Sequence, residues 1–192
     1  MSNPTVKRII TTHSPSDKDG TDVQLHTTQL ELVPVLTTAQ GTAHVAHLYS
    51  HLNIPSINPH NLNEDQIKNA ENVSGVVLPH GVNGQVTQLS PGFKVDYHRT
   101  SSVDYNIFLS GSAWLITPSS SSSVKKTGNQ QEGEEEEEEG EERTLVKAGE
   151  IVVQTGTLHA WEAGPEGARW CTVVIAALPV EVGGKVLADV DF

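Results

Sequence analysis

Three side chains of types that bind metals or move protons stand out in this sequence, because glycines that mark tight turns flank them at regular intervals. Between Gly92 and Gly111 the order is Gly92, five residues, His98-Arg99-Thr100, three residues, Asp104, six residues, Gly111. Downstream, Gly149-Glu150-Ile151-Val152-Val153-Gln154-Thr155-Gly156-Thr157-Leu158-His159 supplies a second imidazole just after a glycine. A neutral imidazole can bind a divalent ion through a ring nitrogen, or take up a proton near neutral pH. A carboxylate can ligate, or it can accept a hydrogen bond from a His and fix that ring's tautomer. Two imidazoles and one carboxylate therefore leave two chemistries open: metal-assisted reaction and His/Asp acid–base catalysis.

The elements that must hold these groups are strands. Sixteen Gly and ten Pro, with few helical patterns, favour a turn-rich β protein. Val6 to Thr11 reads as a strand, Ser14 to Gly20 as a loop, and Val23 to Val35 as a partly alternating segment with Leu25, Leu30, Leu32 and Val35 directed to the core. His44 to Tyr49 is a further strand candidate. Asn63-Glu64-Asp65-Gln66 has the form of a capping box and predicts a short helix over 64–71. From residue 84 the strand signal strengthens: Gln85 to Gln88, Lys94 to His98, Tyr105 to Leu109, Ser112 to Ile116, Arg143 to Val146, Ile151 to Gln154 and Trp170 to Ala177. Short strands at this spacing predict a sandwich or a barrel.

Length and composition bound the rest. At 192 residues and 36% hydrophobic content the chain suits one domain with one core, 1–192. The net charge is −12, but Glu132 to Glu142 holds nine Glu, and without those nine the chain carries −3. The acidity is local, and no basic patch offers itself to nucleic acid. Residues 118–142, with five consecutive Ser and the Glu run, are expected to be a disordered insert between two strands. No apolar stretch approaches the ~20 residues of a membrane helix and no leader is legible, so a cytoplasmic protein without membrane contact is expected. The single Cys171 sits in an apolar run and is read as a core thiol.

Most of the remaining chemistry-bearing residues have a simpler reading. His13, His26, His44, His47, His51, His60 and His80 lack ligand spacing within a motif and are taken as surface or core residues. On a strand, His44 and His47 fall on opposite faces. Tyr97, Phe108 and Trp114 are read as packing. Trp161, two residues after His159, and Tyr105, beside Asp104, are the preferred pocket candidates, with Arg99 and Thr100 beside His98.

The two motif stretches resemble the paired motifs of the cupin superfamily, and in particular a group of small single-domain fungal cupins found near secondary-metabolite genes. Lys7-Arg8-Ile9-Ile10-Thr11-Thr12-His13 and Ala168-Arg169-Trp170 followed by Pro179-Val180 are also similar to that group. This chain departs from the superfamily pattern at Thr100, where a second His is usual, and at Asp104, where Glu is usual. Its second motif lacks the usual Pro and is one residue short before the turn.

The resemblance implies an all-β double-stranded β-helix, a jelly-roll-like antiparallel barrel with N-terminal extension strands. Its first motif region would be 84–117 and its second 143–180. It also implies that His98, Asp104 and His159 meet inside the barrel, either as ligands of a divalent ion (Fe, Mn, Ni, Co or Zn) or as acid–base groups. No organic cofactor is expected. The expected activity is that of a small enzyme acting on an organic intermediate, such as a polyketide or aromatic carbonyl compound, by isomerisation, cyclisation, dehydration or decarboxylation. The alternatives are a non-catalytic small-molecule binder, which Thr100 favours, and a non-haem-iron dioxygenase. A homodimer is expected, because β-prone N-terminal segments would otherwise leave strand edges exposed.

Overall fold

The computed structural model describes residues 3–56, 62–73, 75–119 and 140–191. Two hairpin-forming strands come first, β1 (Thr5–His13) and β2 (Val23–Glu31), paired antiparallel with each other alone. The main sheet comprises β3 (Val33–Thr38), β4 (Gly41–Leu52), β5 (Gly81–Leu89), β6 (Lys94–His98), β7 (Ser102–Ser119), β8 (Gly140–Lys147), β9 (Ile151–Thr155) and β10 (His159–Ala176). A small hairpin, β11 (Glu181–Val182) with β12 (Lys185–Val186), follows. One helix, α1 (Glu64–Glu71), lies between β4 and β5. Its capping box is formed as the sequence predicts: Gln66 N–H donates to the Asn63 side chain, and the Gln66 side chain accepts from Asn63 N–H.

The shape of the barrel follows from two long strands that each serve both walls. The first half of β7 pairs with β9 and with the second half of β10, while its second half pairs with β8 and with the first half of β10. The second half of β10 also pairs with β5, which leads on to β4 and β3, and its first half pairs with β6. One continuous sheet thus folds over into two facing walls, β3-β4-β5-β10-β7-β9 and β6-β10-β7-β8. This is the jelly-roll-like antiparallel barrel implied by the resemblance. The bend occurs where Gly111 (φ +67°) and Gly167 (φ +77°) abut, with a register shift between Ala163 and Ala168. A Cβ on either glycine would collide with facing backbone, so the corner needs residues with no side chain that also tolerate positive φ.

These long strands correct the sequence-based boundaries. Tyr105 to Leu109 and Ser112 to Ile116 are parts of one strand that turns at Gly111, not two strands broken there. Val23 to Val35 divides into two strands at the fully buried Leu32. The insert begins later and ends sooner than 118–142, because Pro118 and Ser119 pair with Glu141 and Gly140, and Thr117 pairs with Glu142. The expected disorder of the Ser/Glu segment otherwise concerns 120–139, outside the described residues.

Between the walls lies a core of Phe93, Phe108, Trp161 and Trp170 with Leu89, Val95 and Val146. Phe108 stacks on Trp170 at 5.2 Å between ring centroids and meets Trp161 at 5.6 Å. Burying side chains of this kind contributes roughly 1.5–3 kcal/mol each. Outside the first wall, Leu32, Ala46 and Val86 form a second cluster with Val6, Leu30, Leu48 and Cys171. The N-terminal hairpin is fastened over it. Arg8 pairs with Glu71 at 2.5 Å and donates to Leu48 O at 2.7 Å, and Arg169 donates to Thr5 O at 2.8 Å. Cys171 is half-buried beneath this hairpin, and burial pushes its thiol pKa up, as suits a packing residue.

Candidate active site

The space left inside the barrel is a cavity of about 290 Å³. Its apolar lining includes Val35, Leu36, Val45, Val76, Leu89 and Val95, with Trp161 and Trp170 as aromatic wall. Its polar lining is His47, Gln85, Thr87, His98, Thr100, Asp104, Asn106, Gln154, His159 and Thr172, with no Lys or Arg among the described lining residues.

His98 ends β6 and His159 begins β10, and the two are register partners across the ladder. Their rings lie 4.1 Å apart between centroids, tilted by 57°. Each is oriented in the same way: His98 Nδ1 bonds Asp96 O and His159 Nδ1 bonds Thr157 O, both at 2.9 Å. A backbone carbonyl can only accept, so Nδ1 carries the proton in each neutral ring and Nε2 is the lone-pair nitrogen. For His159 this geometry depends on the turn after β9, where Gly156 adopts φ +69° and presents the Thr157 carbonyl. Trp161 packs edge-on against His159 at 6.1 Å.

Both imidazoles are held neutral. Burial lowers the His98 pKa against an opposing contribution from the Asp96 carbonyl. Burial, aided by repulsion from His98, lowers that of His159 to about 4, while the Thr157 carbonyl opposes the shift. Asp104 moves the other way. It is buried near the start of β7, where burial raises its pKa and a Ser102 hydrogen bond only partly offsets that. Its Oδ1 has no hydrogen-bond partner among the described residues.

Of the residues singled out in the sequence, His98, Thr100, Asp104, His159 and Trp161 share this cavity. Thr100 Oγ1 lies 2.8 Å from Ser102 Oγ. Two residues are placed elsewhere. Tyr105 is exposed, because strand alternation turns it to the opposite face from Asp104. Arg99 binds the C-terminal segment, donating from Nε to Ala188 O while its backbone pairs with Val190.

Sequence reasoning missed six of the polar lining residues, Gln85 and Thr87 among them. Alternation along β7, β9 and β10 puts Asn106, Gln154 and Thr172 on the same inner face as Asp104, and this was recoverable once the register was known. His47 also lines the cavity, while His44, as a strand requires, does not.

The metal expectation can be tested on the donor set. Among the described residues no group of three or more His, Cys, Asp or Glu is gathered closely enough to hold an ion. The two imidazoles meet, but Asp104 stands in the other wall, in register with Gln154 and Val174. The side chains therefore do not fit the two-His–one-carboxylate centre implied by the resemblance, and no reaction step is derived through a metal.

No family model matches the chain. A protein of the phomopsin biosynthesis cluster, protein D of Diaporthe leptostromiformis, is 32% identical over 118 residues, which is 60% of this chain and 51% of that protein. This chain thus spans about half the length of that relative. Oryzines biosynthesis cluster protein J of Aspergillus oryzae is 28% identical over 189 residues, 97% of this chain and 91% of that protein. Among solved structures, an oxalate decarboxylase of Lactobacillus farciminis overlaps with TM-score 0.43 and 11% identity, over 76% of this chain and 30% of that one. The relatives are fungal proteins of secondary-metabolite clusters, in keeping with the resemblance seen in the motifs. No helix among the described residues is long and apolar enough to cross a membrane.

Proposed function

We propose that this protein is an acid–base enzyme acting on a small organic intermediate of secondary metabolism, by isomerisation, cyclisation, dehydration or decarboxylation. The observation that carries this reading is the opposite direction in which burial shifts the imidazoles and the carboxyl that line one cavity. Two imidazoles are held neutral with Nε2 as the basic atom, and a buried carboxyl with a raised pKa shares the space. Shifts in these directions favour a neutral imidazole as base and a protonated carboxyl as acid. His159, with His98 beside it, would take a proton from carbon or oxygen. Asp104, when protonated, would donate to the oxygen on which negative charge develops. The apolar part of the lining, with Trp161 and Trp170, would limit water around the transfer.

A role in secondary metabolism is supported by the relatives, whose names place them in the phomopsin and oryzines clusters. Oxygen-dependent cleavage by non-haem iron is the weaker reading, since the three ligands it needs are not gathered. A binder without catalysis remains the rival from another class, and the two are separated by a reaction that needs no knowledge of the natural substrate. Purified protein incubated with acetophenone in D₂O should accelerate loss of the methyl protons above buffer, and a chelator should leave the rate unchanged. Binding of the ketone with no acceleration would establish the binder. A rate abolished by chelation would establish the metal-assisted mechanism.

A further inference from the structure

The polar wall opposite the His pair contains a hydrogen-bond chain with a defined direction. Thr172 Oγ1 donates to Asn106 Oδ1 at 2.8 Å, and Asn106 Nδ2 donates to Gln154 Oε1 at 3.0 Å. With the amides placed in this order, Gln154 Nε2 is left at the end of the chain as a donor. That nitrogen is buried and has no partner among the described residues. Gln154 is 6% exposed and lines the cavity, as do Asn106 and Thr172. A buried N–H without an acceptor costs roughly 1–3 kcal/mol, and such an atom calls for an explanation.

We infer that Gln154 is a specificity-determining residue, whose side-chain N–H binds the carbonyl oxygen of an uncharged, largely apolar ligand. The inference rests on the reading of this cavity as the substrate pocket. An acceptor is required because the relay leaves only a donor. A neutral acceptor is favoured because no Lys or Arg is among the described lining residues to offset a carboxylate. The unpartnered Oδ1 of Asp104, the cross-strand neighbour of Gln154, lies in the same wall. The aliphatic lining with Trp161 and Trp170 suits an apolar body on the ligand.

Three probes of similar size separate the terms: acetophenone, ethylbenzene and benzoate, titrated into the full chain at pH 7 and followed by tryptophan fluorescence. Acetophenone should bind roughly 10-fold more tightly than ethylbenzene, the gain expected from hydrogen bonds to otherwise unpartnered buried donors. It should also bind more tightly than benzoate. Gln154→Met should erase the preference over ethylbenzene while ethylbenzene itself still binds. Should that variant not fold, Gln154→Glu keeps the length and the oxygen that Asn106 bonds, removes the N–H, and should lose the same preference. Equal binding of acetophenone and ethylbenzene, a preference that survives both substitutions, or tighter binding of benzoate each overturns the assignment and leaves the pocket reading standing. Failure of all three probes to bind overturns the pocket reading and this inference with it.

Discussion

The two polar ends of the cavity are built on opposite rules. At one end His98 and His159 each bond a backbone carbonyl two residues earlier, so their tautomers are set by the main chain before any ligand arrives. At the other end Asp104 Oδ1 and Gln154 Nε2 are buried with no partner among the described residues. The first end is complete and oriented, whereas the second holds polar atoms that a ligand would satisfy. Orientation fixed by the protein suits a group that must move a proton along one direction. Unmet hydrogen-bonding capacity suits a group that must recognise something. On the proposed function, the difference would separate the base from the site that holds the reacting oxygen.

The largest expected effects fall on turnover. His159→Ala or Asp104→Asn should each lower the α-proton exchange rate by roughly 10²–10⁴-fold, as for a lost general base or acid. Thr172→Val, at the far end of the relay, should leave the imidazoles untouched and act on ketone binding. Isotope-exchange kinetics over a range of ketone concentrations separates the two ends, and a loss in kcat from Thr172→Val would merge them.

Next is the pH dependence of stability. The native His159 pKa of about 4 lies below the ordinary value of 6.5. Between those two values the unfolded chain binds a proton that the native state refuses. Stability is therefore fully present above pH 6.5 and is lost as pH falls toward 4, by roughly 3 kcal/mol. His98 adds to this in the same direction. Urea unfolding at a series of pH values checks it, and the slope should shrink in His159→Gln.

Asp104 carries the opposite sign. Because its native pKa is raised, its contribution to stability is greatest at low pH and is lost as pH rises through the native pKa. Asp104→Asn should therefore raise the thermal midpoint at pH 7 while turnover falls. A variant destabilised at pH 7 would show that the carboxylate is needed for the fold.

Smaller effects are expected away from the cavity. Tyr105, Leu109, Ile151 and Val153 leave an apolar outer face on β7 and β9, and a second copy covering it would give the homodimer expected from the exposed N-terminal strands. Light scattering should then return twice the 20.7 kDa chain mass, and Val153→Lys should shift it toward one chain with turnover unchanged. Replacing 120–139 with a two-residue turn should move the thermal midpoint least of all. Ser119 and Gly140 already face each other across the ladder, ready to be joined as a hairpin.

Local signals were the legible part of the sequence. The capping box at Asn63 and Gln66, the strand Lys94–His98 and the turn before His159 each depend on a few adjacent residues, and each is present. The two His were found because glycines flank them at recognisable intervals. What depends on register was hidden. Whether Tyr105 or Asp104 faces inward is decided by which residue of β7 meets Gln154, a contact between distant parts of the chain. The Thr172–Asn106–Gln154 relay needs three strands in register at once, and the corner at Gly111 needs Gly167 opposite it. Such facts reside in the pairing, and no local pattern encodes them.

The central claim is that proton transfer runs through the imidazole pair. Methyl-proton exchange of acetophenone by the His98→Ala, His159→Ala double variant, confirmed as folded by its β-sheet circular dichroism, addresses it directly. The rate should be indistinguishable from buffer. Exchange at the full rate of the parent chain would contradict it.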